Sequence, residues 1–237
     1  MLIKAVSEYN DDGCIVYAEN FPGAFVRGRN YENAVAKFKK EIESWLLWVN
    51  GEAETDFSIE IGLVQEKKSD LRVCDADSDI IFDSEKEPLT KEEYTKLKIL
   101  ALRSAMDFER LYDSVPDKNM KIVPERDTFY GKVPATAKEM YDHTMNVNAY
   151  YFGEIGVDAE NGPDILSCRS AGFAALEKQE GFLENKVFDG SYGEEWSLRK
   201  LLRRFIWHDR IHARAMYRRA YEAFWDDEID NVFCFRK

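Results

Sequence analysis

The sequence lacks the features that mark secreted, membrane-spanning and nucleic-acid-coating proteins. Its 237 residues include four cysteines (Cys14, Cys74, Cys168 and Cys234) and no C-x-x-C pair, which argues against a disulfide framework and a cysteine-based zinc cluster. No apolar run approaches the roughly 18 residues that a transmembrane helix needs. The excess of 45 acidic over 33 basic residues argues against a nucleic-acid partner. Together these features predict a cytoplasmic protein with reduced thiols and no membrane partner.

Histidine is also scarce, and its three positions carry the main functional signal. His208 and His212 form an H-x-x-x-H step. On an α-helix, residues i and i+4 differ by about 40° in azimuth and about 6 Å along the axis. Their imidazoles can therefore share one metal ion, and His143 on a separate predicted helix can supply a third ligand.

The first 74 residues predict a small α+β module of order βββαβ. Strands are expected at 2–8, 14–18 and 24–27, a helix at 30–49, and a strand with alternating apolar residues at 57–63. Residues 75–88 are acidic and have no sustained apolar period, which favours a linker.

Residues 89–237 predict an all-α four-helix bundle. Capping boxes at Thr90 and Thr136 begin the first two helices, with a long connection at 115–133 between them. A third helix is expected at about 163–182. Ser197 caps the last helix, which is expected to end near Trp225.

All three histidines fall on the apolar stripes of their helices, so they should point into the bundle. An apolar interior offers few acceptors for three imidazoles. A shared divalent ion is therefore favoured over three unrelated core histidines. Three nitrogen ligands leave a position open, as in catalytic rather than structural zinc sites, although imidazole also suits nickel, iron and copper.

Several charged and polar residues flank this site. Those beside the histidine stripe, candidates for contact with substrate or with the metal ligands, are Arg204, Arg219, Asn146 and Glu139. Each of the two arginines should pair with a carboxylate or face a solvated cavity, since a buried guanidinium is costly alone. Glu139 also fits a purely structural role in its capping box. On the opposite side of the last helix, a solvated arginine face is expected at Arg199, Arg203, Arg210 and Arg214.

Residues 208–212 also form H-D-x-x-H, a variant of the zinc-protease motif H-E-x-x-H. The carboxylate of Asp209 is shorter than that of glutamate, and it lies about 100° from His208 on the helix. A role as partner of nearby arginines is therefore preferred to a protease role.

With these residues identified, the segment from about 90 to 225 resembles the DinB-like superfamily of metal-binding four-helix bundles. That family has one histidine in its second helix and H-x-x-x-H in its fourth, which match His143, His208 and His212. Residues 196–202 also resemble the family's lead-in to the fourth helix. The resemblance implies a facial three-histidine site for a divalent cation, nickel or zinc above all. It also implies chemistry that in characterised relatives depends on low-molecular-weight thiols.

Residues 1 to about 65 resemble the HicB-like antitoxin domain in their strand pair, in Asn20-Phe21-Pro22-Gly23 and in the helix start at 31–34. This resemblance implies that the module binds a partner or covers the bundle. Two functions follow from the sequence. The favoured one is a metal-dependent enzyme, S-transferase-like or hydrolase-like, acting on a small molecule. The alternative is a non-enzymatic metal-binding or partner-binding regulatory protein, and a homodimer or a protein partner is compatible with either.

Overall fold

The chain forms an N-terminal four-stranded sheet followed by helices. The structure is a computed structural model that describes residues 1–52, 57–128, 131–225 and 229–236. In these ranges no helix combines the length and the apolar character needed to span a membrane.

The sheet has the strand order β3-β2-β1-β4. Its strands are β1 (Leu2–Asn10), β2 (Gly13–Ala18), β3 (Phe25–Gly28) and β4 (Glu60–Lys68). β2 is antiparallel to both β1 and β3, and β4 runs parallel to β1. This confirms the predicted βββαβ order. The last strand starts later than predicted and extends to Lys68, because it pairs along the length of β1 as a largely exposed edge strand that tolerates polar residues.

The helix predicted at 30–49 is divided into α1 (Tyr31–Val35) and α2 (Phe38–Asn50). Asn30 is the N-cap, as expected, since its side chain accepts a hydrogen bond from the N–H of Asn33 at 2.9 Å. The break follows because the N–H of Lys37 donates to the carbonyl of Ala34, three residues back, which tightens the chain and ends α1.

Both faces of the sheet are buried. One face packs on α1 and α2 through residues such as Ile3, Val16 and Phe38. The other face forms a second core with the segment that follows β4 and with Trp207, and this core includes Tyr17 and Phe82. The predicted division into modules 1–74 and 89–237 stays a prediction. Within the predicted linker 75–88, however, residues 80–82 are buried, and Ile80 and Phe82 help to join the sheet to the last helix.

Four long helices make up most of the second part: α3 (Lys91–Ser114), α4 (Ala137–Glu154), α5 (Ile165–Leu176) and α6 (Leu198–Phe224). The predicted capping boxes at Thr90 and Thr136 and the N-cap Ser197 are confirmed. Helix α3 packs on α5 and α6, and α4 packs on the same two helices. This arrangement brings α4 and α6, which carry the histidines, side by side.

The prediction that residues 89–237 are purely helical is corrected by two short antiparallel ladders. They join β5 (Asp127–Thr128) to β6 (Gly131–Lys132) and β7 (Phe188–Asp189) to β8 (Glu195–Trp196). Strands of two residues are too short to give an alternating pattern. Helix α5 is also shorter than predicted, because the N–H groups of Lys178 and Gln179 donate to carbonyls three residues back, which tightens the chain and ends the helix. A separate 3-10 turn follows at Phe182–Glu184.

The prediction of a solvated arginine face on α6 is wrong for Arg203 and Arg210, because the sheet and residues 78–85 cover that side of the helix. Arg199 and Arg214 are half-buried and pair with Glu93 and Glu41. Arg210 is fully buried and donates to Glu41 at 2.9 Å and to the carbonyl of Gly23 at 3.1 Å. Arg203 is buried against Glu85 and donates to the carbonyl of Ile80 at 3.0 Å. The backbone of Gly23 lies so close to α6 that a Cβ at this position would be 2.4 Å from the side chain of Ile206. Helix α6 is therefore central, with protein on several sides.

A buried acid in the second core gives the fold a predicted pH dependence. Glu8 is fully buried, and it accepts hydrogen bonds from the Ser78 hydroxyl at 2.5 Å and the Asp79 N–H at 3.3 Å. Burial, and then the hydrogen bond with the Asp79 carboxyl, raises the pKa of Glu8 from 4.5 to about 7. The folded state thus keeps a proton that the unfolded chain loses between these pH values. Stability should fall as the pH rises through this window, by about 3 kcal/mol in total.

Glu8→Gln should remove this fall, because an amide mimics the protonated acid. Urea unfolding at pH 5 and pH 7.5 measures the effect. The free energy of unfolding of the variant should gain on the wild type by about 2 kcal/mol between the two pH values, because part of the total effect is already present at pH 5. Equal pH dependence in both proteins would show that Glu8 does not hold the proton.

Candidate metal centre

The three histidines converge at the contact between α4 and α6. His143 lies on α4, and His208 and His212 lie one turn apart on α6. The Nε2 atoms of His143 and His208 are 3.1 Å apart, and one ligand nitrogen from each of the three rings can be chosen so that all lie within 4.8 Å of one another. The ring centroids are 4.5–5.0 Å apart. This is the convergence that the helical spacing predicts.

The site keeps its imidazoles neutral. Burial lowers the pKa of His143, and it lowers that of His212 to about 3 with a further contribution from the charge of His143. The pKa of His208 lies well below its usual value, first through burial and then through the positive charges of His212, His143 and Arg204. Neutral imidazoles present lone pairs, so these rings are in the state that binds a cation.

The distances suit a single ion. Nitrogen ligands at about 2.0–2.2 Å from one ion lie roughly 3.0–3.5 Å from each other. The pair formed by His143 and His208 already has this separation, at 3.1 Å. A small movement of His212 is enough to complete the set, since no pair in the chosen set exceeds 4.8 Å.

Aromatic side chains hold the histidine rings in place. The rings of Tyr151 and Trp207 lie edge-on to His208, with centroids 5.9 and 6.4 Å away. The Nδ1 atom of His208 is buried and has no hydrogen-bond partner in the described part of the chain. Histidine ligands usually donate this N–H to a carboxylate or carbonyl. Here packing, rather than such a hydrogen bond, sets the orientation of the ring.

Next to the histidines lies a buried ion pair between α6 and α5. Asp209 and Arg169 are both fully buried, and two guanidinium nitrogens reach the two carboxylate oxygens at 2.5 and 3.0 Å. Ser104 on α3 also donates to Asp209, and Asn148 on α4 accepts from Arg169 at 3.0 Å. The pair therefore ties four helices together around the site. Asp209 does have an arginine partner, but that partner lies on another helix and in the core.

A cleft of about 1530 Å³ opens beside the histidines. All three imidazoles line it, together with Met140 and Val147 from α4. Its other walls come from β3 and from residues that follow β4, so the N-terminal sheet completes the cleft. The volume exceeds the roughly 300–1,000 Å³ of common small-molecule sites.

The structure places the other predicted residues as follows. Arg204 is buried at the cleft wall, donates to the Ser78 carbonyl at 3.0 Å and lies 3.8 Å from Glu194. Arg219 also lines the cleft and pairs with Glu222 at 2.9 Å. The expectation that each arginine has a carboxylate partner is confirmed for both.

Asn146 and Glu139 lie away from the histidines. Asn146 is exposed and does not line the cleft. Glu139 accepts hydrogen bonds from the N–H groups of Ala135 and Thr136, at 2.7 and 3.2 Å, as the capping box predicts. Its carboxylate is therefore committed to the start of α4.

Sequence reasoning missed three residues at this site: Tyr151, Glu194 and Trp207. Glu194 lies in a short irregular stretch before β8, where no periodic pattern could place it. Trp207 faces the sheet, so it falls outside the helical stripe that carries the histidines. Only Tyr151 has a usable signal, because it lies about two helical turns after His143 on α4 and so adjoins the stripe that carries this histidine.

Compared with protein families, with curated proteins and with solved structures, the chain gives no match. The resemblances to the DinB-like superfamily and the HicB-like domain therefore stay predictions. The geometry and chemistry of the histidine site are what indicate a function.

Proposed function

We propose that this protein is a metal-dependent enzyme that acts on a small molecule, with a divalent cation held by His143, His208 and His212. The observation that carries the proposal is the convergence of three neutral imidazoles at the wall of a large cleft. The Nε2 atoms of His143 and His208, 3.1 Å apart, already have the separation of two ligands of one ion, which three unrelated core histidines would not need.

An enzyme is favoured over a closed structural site because the three rings face a cleft and not a sealed core. A divalent ion bound there would supply Lewis-acid chemistry and favour the deprotonated form of a thiol or water. Imidazole ligands do not choose the metal. Nickel and zinc are the ions to test first, and a low-molecular-weight thiol is the first co-substrate, as the DinB-like resemblance implies. In this proposal, α3 to α6 are the four helices of such a bundle.

The surrounding residues have roles that follow from their positions. The positive charge of Arg204, which lowers the pKa of His208, also favours an anionic substrate atom beside the histidines. Tyr151 and Trp207 exclude water on the core side. The N-terminal sheet acts as the second wall of the cleft, which supports a covering role for this module within the enzyme.

Metal binding by single-histidine variants tests the proposal. The full chain, made without an affinity tag, is dialysed against a chelator and then equilibrated with nickel or zinc. Wild-type protein should bind about one ion per chain. Alanine at position 143, 208 or 212 should weaken binding by about a hundredfold or more, since even losing an outer-shell partner costs about 10–100-fold. Asn146→Ala, an exposed change one turn from His143, is the matched control and should bind normally.

Wild-type affinity in all three histidine variants would contradict the metal site. Thiol binding separates the two function classes. Calorimetry should detect binding of a low-molecular-weight thiol to the metal-loaded wild type and not to His208→Ala. An ion that binds tightly while no thiol binds would favour the regulatory alternative.

A further inference from the structure

The cleft is lined by more basic than acidic residues, although the chain as a whole is acidic. Eleven lysines and arginines line it against six aspartates and glutamates. In the whole sequence the balance is the reverse, with 45 acidic and 33 basic residues. Basic side chains are thus concentrated where a ligand would lie, which points to an anion.

Four arginines from three parts of the chain form the centre of this charge. We call them the arginine cluster: Arg27 on β3, Arg126 ahead of β5, and Arg214 and Arg218 on α6. Arg27 and Arg126 contact adjacent residues, Cys74 and Asp75. The guanidinium of Arg214 lies over the ring of Phe25, two residues before Arg27 on β3, at 5.0 Å from its centroid, and Arg218 follows one turn later on α6. Desolvation in the cleft, and then the charges of Arg214, Arg126 and Arg218, lower the pKa of Arg27.

The carboxylates near the cluster do not neutralise it. Glu41 is shared by Arg210 and Arg214, and Asp75 is shared by Arg72 and Arg126. Arg27 itself donates to the carbonyl of Cys74 at 3.2 Å.

Arg218 has no carboxylate within ion-pair distance among residues 1–52, 57–128, 131–225 and 229–236. The cluster therefore has an excess of positive charge, and guanidinium groups are well suited to bidentate contacts with oxyanions.

We propose that the arginine cluster binds the phosphate group, or a similar dianionic oxyanion, of a small phosphorylated molecule that lies in the cleft. A dianion is favoured over a monocarboxylate because four arginines line the same cleft and the two carboxylates beside them are shared with further arginines. At 1.5 Å per residue, the Cα of Arg218 lies about 9 Å beyond that of His212 along α6. A bound molecule of moderate size can thus reach from the cluster to the histidines. Its assignment as the substrate rests on the proposed function, whereas anion binding does not.

Calorimetry with inorganic phosphate, pyrophosphate and acetate tests the proposal. The full chain is dialysed against a chelator and then against chelator-free buffer of low ionic strength, so that no metal contributes. Phosphate and pyrophosphate should bind, and acetate should bind at least about tenfold more weakly. Arg27→Gln and Arg218→Gln should each weaken phosphate binding by about tenfold, the effect of one charge-assisted hydrogen bond. Added salt should weaken binding further.

Arg110→Gln is the matched control, because Arg110 is an exposed arginine on α3 that pairs with Asp230 and lies outside the cleft. It should leave phosphate binding unchanged, and melting curves of all variants verify the fold. Phosphate binding that is absent from the wild type, or equal in wild type and both cleft variants, would overturn the proposal. A single-stranded oligonucleotide that binds through the same arginines more tightly than pyrophosphate would overturn the small-molecule assignment.

His208→Ala separates this proposal from the proposed function. The variant should lose metal affinity and keep phosphate affinity within about twofold, since the cluster contains no histidine. Phosphate binding without any metal binding in the wild type would refute the metal centre alone. Metal binding without phosphate binding would refute the arginine cluster alone.

Discussion

Asp209→Ala is expected to destabilise the fold by about 3–5 kcal/mol, because it leaves the buried guanidinium of Arg169 without its partner. Both side chains are fully buried, so water cannot replace the lost carboxylate. Urea unfolding of the metal-free chain measures the effect and separates it from any change in metal binding.

The double variant Asp209→Ala with Arg169→Met is the control for this prediction. Removing both charges avoids the unpaired guanidinium, so the double variant should be more stable than Asp209→Ala alone. Asp230→Ala, which breaks the exposed pair with Arg110, should change the stability little. A double variant less stable than the single one would show that the destabilisation does not come from an unpaired charge.

Trp207→Ala is expected to cost about 3–5 kcal/mol, because it empties the contact between α6 and the sheet. Trp207 is only 4% exposed, and its ring lies edge-on to Tyr17 and Phe25 with centroids 6.0 and 6.1 Å away. Trp225, which is 91% exposed at the end of α6, provides a matched control. Trp225→Ala should change the free energy of unfolding by no more than about 0.5 kcal/mol.

Equal effects of the two tryptophan substitutions would contradict the packing of α6 on the sheet. If Trp207→Ala unfolds in a single cooperative transition, the sheet and α6 form one folding unit, and residues 75–88 do not separate two independent modules. Ile80, Phe82 and Trp207 share one core with the sheet. We therefore expect the sheet and α6 to unfold together.

The histidine site could be predicted from the sequence because it depends on helical periodicity. His208 and His212 are four residues apart, and His143 lies on the apolar stripe of α4. The capping boxes at Thr90 and Thr136 were predictable for a similar reason, since each is a local contact over three residues. The order of strands before α1 followed from turn residues and alternation.

Contacts between distant parts of the chain could not be predicted in this way. The helical pattern correctly places Arg210 on the side of α6 opposite the histidines. It does not show that the sheet covers this side or that Glu41 is the partner of Arg210. The same holds for Arg169 and Asp209, whose ion pair has no signal in either local sequence. Residues 80–82 are buried in an irregular segment, where no period distinguishes a core residue from a linker residue.

X-ray absorption spectroscopy of the metal-loaded full chain tests the central claim most directly. We expect three imidazole nitrogens at about 2.0–2.2 Å from the ion and no sulfur ligand, because the four cysteines lie outside the group that could bind it. His208→Ala should lose the imidazole signal or the ion itself. A spectrum dominated by sulfur at about 2.3 Å, or by oxygen with no imidazole contribution, would contradict a metal centre built from His143, His208 and His212.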